Sequence, residues 1–253
     1  EITTRLVGSE MCIRDRNVSD RLEKTFTSVN FNMMIMVIYA LITIAIFGMW
    51  YYARYEGNFL PSPKKTFNPM MLAAIVILVP GTQFAANFIA NLTGYIRPDW
   101  LQQYNELFET SGITDTTFVT VLYSVILAPI CEELIFRGVT MRCARKALPF
   151  ALANLMQAAL FGLFHLNWIQ GIYAFALGIV LGYVCECGGS IYYSIGLHLL
   201  FNLWGTLSGF FPDPGNSVVV FVIVIAVTIV SLTAGFVLFN KGRRKLPINS
   251  TGI

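Results

Sequence analysis

Glu132 and Glu133 stand side by side in an otherwise apolar run, Val125-Ile-Leu-Ala-Pro-Ile-Cys-Glu-Glu-Leu-Ile-Phe-Arg-Gly138, and Arg137 closes the group. An ionised side chain in the hydrocarbon region costs roughly 2.5–3.5 kcal/mol on insertion scales, so three of them in six residues need a compensating partner or task. On a helix, Glu133 and Arg137 are four apart and share a face, with the acid on the favoured N-terminal side. Glu132 points about 100° away and lacks that partner. A carboxylate without an ion-pair partner is available for general acid–base work. The competing reading of the trio is a buried ion-pair cluster that only locks helices together.

The chain has two histidines, and both fall in apolar segments. His165 ends the run Phe161-Gly-Leu-Phe-His165-Leu-Asn167, where Gly162 allows close helix approach. His198 and Asn202 are four apart, so they project from one helical face. Such a pair suits donation to a developing oxyanion, and equally suits hydrogen bonding between helices. The set Glu, Glu, Arg, His, His, Asn supplies a general base, a second acid/base group and an oxyanion site, the inventory for hydrolysing an amide. The chain holds no Gly-x-Ser-x-Gly elbow, no His-Glu-x-x-His motif and no glycine-rich phosphate loop.

The elements that must position these residues read as membrane helices. Of 253 residues, 56% are hydrophobic and 12% charged, against about 25% charged in average soluble domains. Mean hydropathy is +0.65. The apolar segments are continuous rather than alternating, which indicates an all-α polytopic bundle and not a barrel. A span needs about 20 mostly apolar residues. Seven candidates result, at about 31–52, 69–92, 116–137, 147–166, 168–184, 190–207 and 218–239. Pro80-Gly81 is expected to kink the second and Pro129 to bend the third just before the glutamates. Trp50, Trp100, Trp168 and Trp204 sit near segment ends as interfacial anchors. The stretch from Gly94 to Asp115 reads as a long acidic loop.

Residues 1–16 match no targeting signal and resemble a translated sequencing adaptor. They are expected to be non-native, leaving 17–253 as one membrane domain and the possibility of an eighth helix upstream. Basic residues follow the first span (Arg54, Lys64, Lys65), the third (Arg142, Arg145, Lys146) and the last (Lys241, Arg243, Arg244, Lys245). Charge in short loops sets orientation, so these are expected to be cytoplasmic, with the N-terminus (Arg21, Lys24) and the 94–115 stretch outside. The net charge of +3 reflects this asymmetry and gives no reason to expect nucleic-acid binding. Cys12, Cys131, Cys143, Cys185 and Cys187 form no Cys-x-x-Cys pair. Cys185-Glu186-Cys187 suits a zinc site poorly, and no disulfide framework is implied.

Glu132-Glu133-x-x-x-Arg137, Phe161-x-x-x-His165 and His198-x-x-x-Asn202, in this order on successive helices, resemble the CPBP family of CAAX prenyl endopeptidases and bacterial bacteriocin-processing or immunity proteins (the Abi group). The resemblance covers about residues 116–210. It implies an intramembrane glutamate endopeptidase of the cell membrane, in a bacterium the cytoplasmic membrane, acting on a membrane-associated peptide or protein. Carried over, Glu132 is the general base, His165 its partner in activating water, and His198 and Asn202 stabilise the oxyanion. Glu133 and Arg137 are the structural ion pair. No cofactor is required on this reading. Zinc held by Glu132, His165 and His198 is the metal alternative. A non-catalytic immunity or binding protein and a proton-coupled carrier are the alternatives from other classes.

Overall fold

The computed structural model describes residues 29–56, 67–111, 117–208 and 217–243. Among these the chain forms eight helices and no strand. They are α1 (Val29–Tyr51), α2 (Pro69–Ile96), α3 (Pro98–Ser111), α4 (Phe118–Ala144), α5 (Phe150–Phe164), α6 (Trp168–Gly188), α7 (Ile191–Ser208) and α8 (Val218–Arg243). Residues 1–16, Cys12, Arg21, Lys24, Lys64, Lys65, Asp115, Arg244 and Lys245 lie outside the described residues.

Five helices, α1, α2, α4, α6 and α8, are long and apolar enough to cross a membrane. Seven were expected. With 15 residues, α5 is about 22 Å long, short of the roughly 30 Å hydrocarbon core. The segment α7 interrupts its apolar sequence with Ser194, His198 and Asn202. Burial shows which helices are central. The spans of α2 and α6 are each 44% buried, against 17% for α1 and 11% for α8, whose exposed Ile, Val and Phe side chains face lipid.

Inside α2, Pro80 has no N–H, and its ring disturbs the hydrogen-bond ladder of the preceding turn. The helix nevertheless continues to Ile96. Ser231 of α8 completes the interrupted ladder: the Gly81 N–H donates to its hydroxyl at 2.9 Å, and that hydroxyl donates to the Ile77 carbonyl. A hydroxyl from a neighbouring helix thus stands where the Gly81-to-Ile77 bond would be, the usual way a membrane helix keeps a proline. A Cβ on Gly81 would lie 2.7 Å from the Ser231 hydroxyl, so glycine is required there.

The helices α5 and α6 meet through backbone. A Cβ at Gly162 would fall 2.5 Å from the Gly171 carbonyl, and one at Gly171 would fall 2.9 Å from the Gly162 carbonyl. Small residues permit this approach, and close packing replaces the missing hydrophobic drive in lipid.

Two expectations need correction. The stretch 94–115 is not a loop over most of its length. The helix α2 runs on to Ile96, and α3 begins at once, with Pro98 at its start and Asp99 in its first turn, both favoured there. Trp100 stacks on Trp168 at 5.3 Å, and the Arg97 guanidinium lies 4.3 Å from the Trp100 ring. Arg97 also hydrogen-bonds Asp99 and holds its carboxyl below the ordinary range. The fourth candidate span starts at Phe150 rather than Ala147, because a turn carrying Arg145, Lys146 and Pro149 intervenes.

Contacts between helix ends align the bundle. At one end, Arg142 donates to the Tyr51 hydroxyl at 3.0 Å and Arg145 pairs with Glu186 at 3.0 Å. At the same end the Asn68 amide donates to the Tyr193 hydroxyl, and its side chain donates to the Gly242 carbonyl. Among the described residues this end collects every Lys and Arg except Arg97 and the internal Arg137.

Ser231→Ala removes the partner of the buried Gly81 N–H and of the part-buried Ile77 carbonyl and is expected to lower stability by about 1–3 kcal/mol. Ser208→Ala, at an exposed position, is expected to change little. Thermal unfolding of the detergent-solubilised protein checks both.

Candidate active site

The six residues singled out by spacing come from three elements: Glu132, Glu133 and Arg137 from α4, His165 from the end of α5, and His198 and Asn202 from α7. The backbone of α4 is unusual around the glutamates. Residues Leu122–Leu127 and Leu134–Met141 are π-helical, flanking an α-helical turn from Ala128 to Glu133. Pro129 sits at the junction, where its absent N–H breaks the regular ladder. Wider turns of this kind are frequent at functional sites.

Arg137 Nη1 donates to Glu133 Oε1 at 2.8 Å, and both side chains are 0% exposed. Arg137 Nη2 donates to the Gly178 carbonyl of α6 at 3.2 Å, and the guanidinium lies 4.5 Å from the Phe161 ring of α5. His198 Nδ1 donates to the same Glu133 oxygen at 2.9 Å. One carboxylate therefore joins α4 to α7, and through its arginine to α5 and α6.

Glu132 has a different environment. Its side chain is 17% exposed, and Oε2 faces His198 Nε2 at 3.6 Å. The imidazole of His198 thus stands between the two carboxylates, one sealed and one open. Asn202, half-buried, donates through Nδ2 to the Ser124 carbonyl at 2.8 Å. An amide nitrogen has two hydrogens, so the second stays available. His165, also half-buried, bonds through Nδ1 to the Phe161 carbonyl at 2.8 Å. A carbonyl only accepts, so in the neutral ring Nδ1 carries the proton and Nε2 presents a lone pair. The Phe161 ring meets His165 edge-on at 4.9 Å and His198 at 5.8 Å. It spaces the two imidazoles and covers the arginine.

Helix geometry gives the layering. Asn202 lies one turn beyond His198, and His165 one turn beyond Phe161, about 5.4 Å in each case. Both steps run away from the basic end. Because α5 starts late, Phe161 comes level with His198, and His165 stands one turn further along on the same side as Asn202. Among the described residues, no three His, Cys, Asp or Glu side chains cluster closely enough to hold a metal ion. Glu132, His165 and His198 do not form such a set in this arrangement.

Two contributors carry no role in the reading of the motifs. Gln157, fully buried in α5, donates to the Gly178 carbonyl at 2.9 Å and to Asn154 Oδ1 at 2.7 Å, and Asn154 donates to the Ile179 carbonyl at 3.0 Å. The Gly178 carbonyl is thus shared by Gln157 and Arg137. The available signal was Asn154-x-x-Gln157, two amides on one face of a helix otherwise apolar.

The site defines a polytopic helical membrane protein with a glutamate–histidine centre buried in its bundle. A family model described as type II CAAX prenyl endopeptidase Rce1-like matches residues 114–204, the stretch that holds all six residues. That match is consistent with the CPBP/CAAX protease family and supports a CAAX-type intramembrane protease in general terms. No curated protein and no solved structure matches the chain.

Removing one member of a buried pair strands the other charge, so Arg137→Met is expected to cost about 3–5 kcal/mol. Glu133→Gln with Arg137→Met is expected to recover a large part of that loss. Chemical unfolding of the single and double variants checks the coupling.

Proposed function

We propose that the protein is an intramembrane endopeptidase that hydrolyses a peptide bond of a membrane-associated peptide or protein through a water activated by Glu132. The observation that carries the reading is the unequal exposure of the adjacent glutamates. Glu133 is sealed at 0% and tied to Arg137 and His198, whereas Glu132 is 17% exposed and faces His198. One carboxylate holds helices together and the other has access to water.

Glu132 takes a proton from a water whose other hydrogen is accepted by His165 Nε2. The hydroxide equivalent adds to the scissile carbonyl. The oxyanion accepts hydrogen bonds from Asn202, through the Nδ2 hydrogen not used by Ser124, and from His198. With Nδ1 donating to Glu133, His198 Nε2 donates only in the doubly protonated ring and accepts in the singly protonated one. The proton held on Glu132 passes to the departing amine as the tetrahedral intermediate collapses. No covalent enzyme intermediate forms. Fixed donors aimed at a developing charge in a low-dielectric site are effective because they need no reorganisation.

The test is cleavage of a peptide library by the detergent-purified protein, with and without a strong zinc chelator. Glu132→Gln and His165→Ala are each expected to lower turnover by about 10²–10⁴-fold, the usual size of a lost acid/base group. Asn202→Ala is expected to lower it by about 10²–10³-fold, as for one oxyanion donor. Cleavage is expected to persist in chelator. Loss in chelator restored by zinc would assign a metalloprotease instead, and cleavage unchanged in Glu132→Gln would sink the proposal.

A further inference from the structure

A concavity lies on the outer side of the bundle, and none of the six site residues lines it. It has a volume of about 520 Å³ and runs between α5, α6 and α8, lined by Phe150, Ala151, Leu155, Ile179, Val180 and Phe236. Ligand sites commonly measure about 300–1,000 Å³. Asn154 also lines it, but both polar atoms of its side chain are engaged, one on the Ile179 carbonyl and one on Gln157. The walls therefore ask for an apolar occupant. Leu155 and Ile179 are exposed at 48% and 37%, so the groove opens sideways.

One end of the groove reaches the basic end of the bundle. Tyr183 lines it and donates to Asn240 at 2.8 Å. Lys241 follows Asn240, and Arg243 reaches Cys187, one turn from Tyr183, at 3.4 Å. On the α5 side, Phe150 follows the turn that carries Arg145 and Lys146. Arg145 is paired with Glu186. Lys146 and Arg243 are exposed and leave the rim net positive.

We propose that this groove is a binding site for an anionic phospholipid, one acyl chain lying between α5, α6 and α8 and the phosphate held at the Lys146 and Arg243 rim. An apolar trough with cations at one end matches the layout of a lipid with a charged headgroup. The positive-inside rule places the basic end at the leaflet that is rich in anionic lipid. Each Lys or Arg near such a surface contributes about fivefold in affinity. The inference rests on the bundle and its charge, and it stands whether or not the protein is a protease.

The test is native mass spectrometry of the full chain in detergent, titrated with dioleoyl phosphatidylglycerol and, separately, with dioleoyl phosphatidylcholine. Retention of phosphatidylglycerol over phosphatidylcholine is expected. The double variant Lys146→Gln/Arg243→Gln is expected to weaken phosphatidylglycerol binding by about 25-fold, at fivefold per charge, and to leave phosphatidylcholine unchanged. Ala151→Trp and Ile179→Trp, each at an exposed position, fill the groove without entering the core and are expected to abolish retention. Arg54→Gln, at the same end but off the groove, is expected to have no effect. Equal retention of the two lipids overturns the proposal. So does preference for phosphatidylglycerol that survives either tryptophan, since that would mean attraction to surface charge alone.

Discussion

A fully buried Glu133–Arg137 pair constrains the rest of the bundle. Each ion would lose several kcal/mol of hydration on burial, and mutual attraction compensates only if the remaining hydrogen-bonding positions are also met. Three neighbouring helices supply partners, while Glu133 Oε2 and Arg137 Nε keep none among the described residues. His198 of α7 takes the carboxylate, the Gly178 carbonyl of α6 takes one guanidinium nitrogen, and the Phe161 ring of α5 covers its face. Four helices are thereby held in one register by two side chains. The same requirement explains Gly178, where a Cβ would lie 3.1 Å from Ala158. A residue without a side chain lets α5 and α6 close on the carbonyl with no shift of Ala158 or Phe161.

The register imposed by the pair also fixes the open half of the site. His198 is pinned through Nδ1, so Nε2 has one direction left, and that direction faces Glu132. Asn202 is pinned by the Ser124 carbonyl and His165 by the Phe161 carbonyl. Each half-buried polar group spends one hydrogen-bonding position on the scaffold and keeps another for whatever enters. Such preorganisation is what electrostatic catalysis needs, because donors already held in place do not reorient during reaction.

Much of this was legible from residue order. The all-α membrane class follows from continuous apolar runs, and the facing of Glu133 on Arg137 from their four-residue spacing. What stayed hidden depends on contacts distant in sequence. The helix α3 was read as a loop because its charged residues outweigh its apolar face, although Pro98-Asp99 is a start signal. The count of seven spans is not confirmed: among the described residues five helices are long and apolar enough, and apolarity alone does not reveal that α5 is delayed to Phe150. Ser231 is 150 positions from Gly81, so nothing local announces that it repairs the Pro80 break. The partner of Asn202 is a backbone carbonyl, invisible to any reading of side chains.

The polar series behind the site links features that otherwise look separate. From Glu133 it runs through Arg137 to the Gly178 carbonyl, then through Gln157 to Asn154, and ends on the Ile179 carbonyl. Asn154 and Ile179 are also walls of the lateral groove. Amides in a helix facing hydrocarbon would be costly unless bonded, and here each serves the crossing of α5 on α6. The series sets how close those helices lie, and therefore how far the end of α5 carries His165 from Glu132. The lipid-facing surface and the buried carboxylates are in this sense two ends of one packed unit.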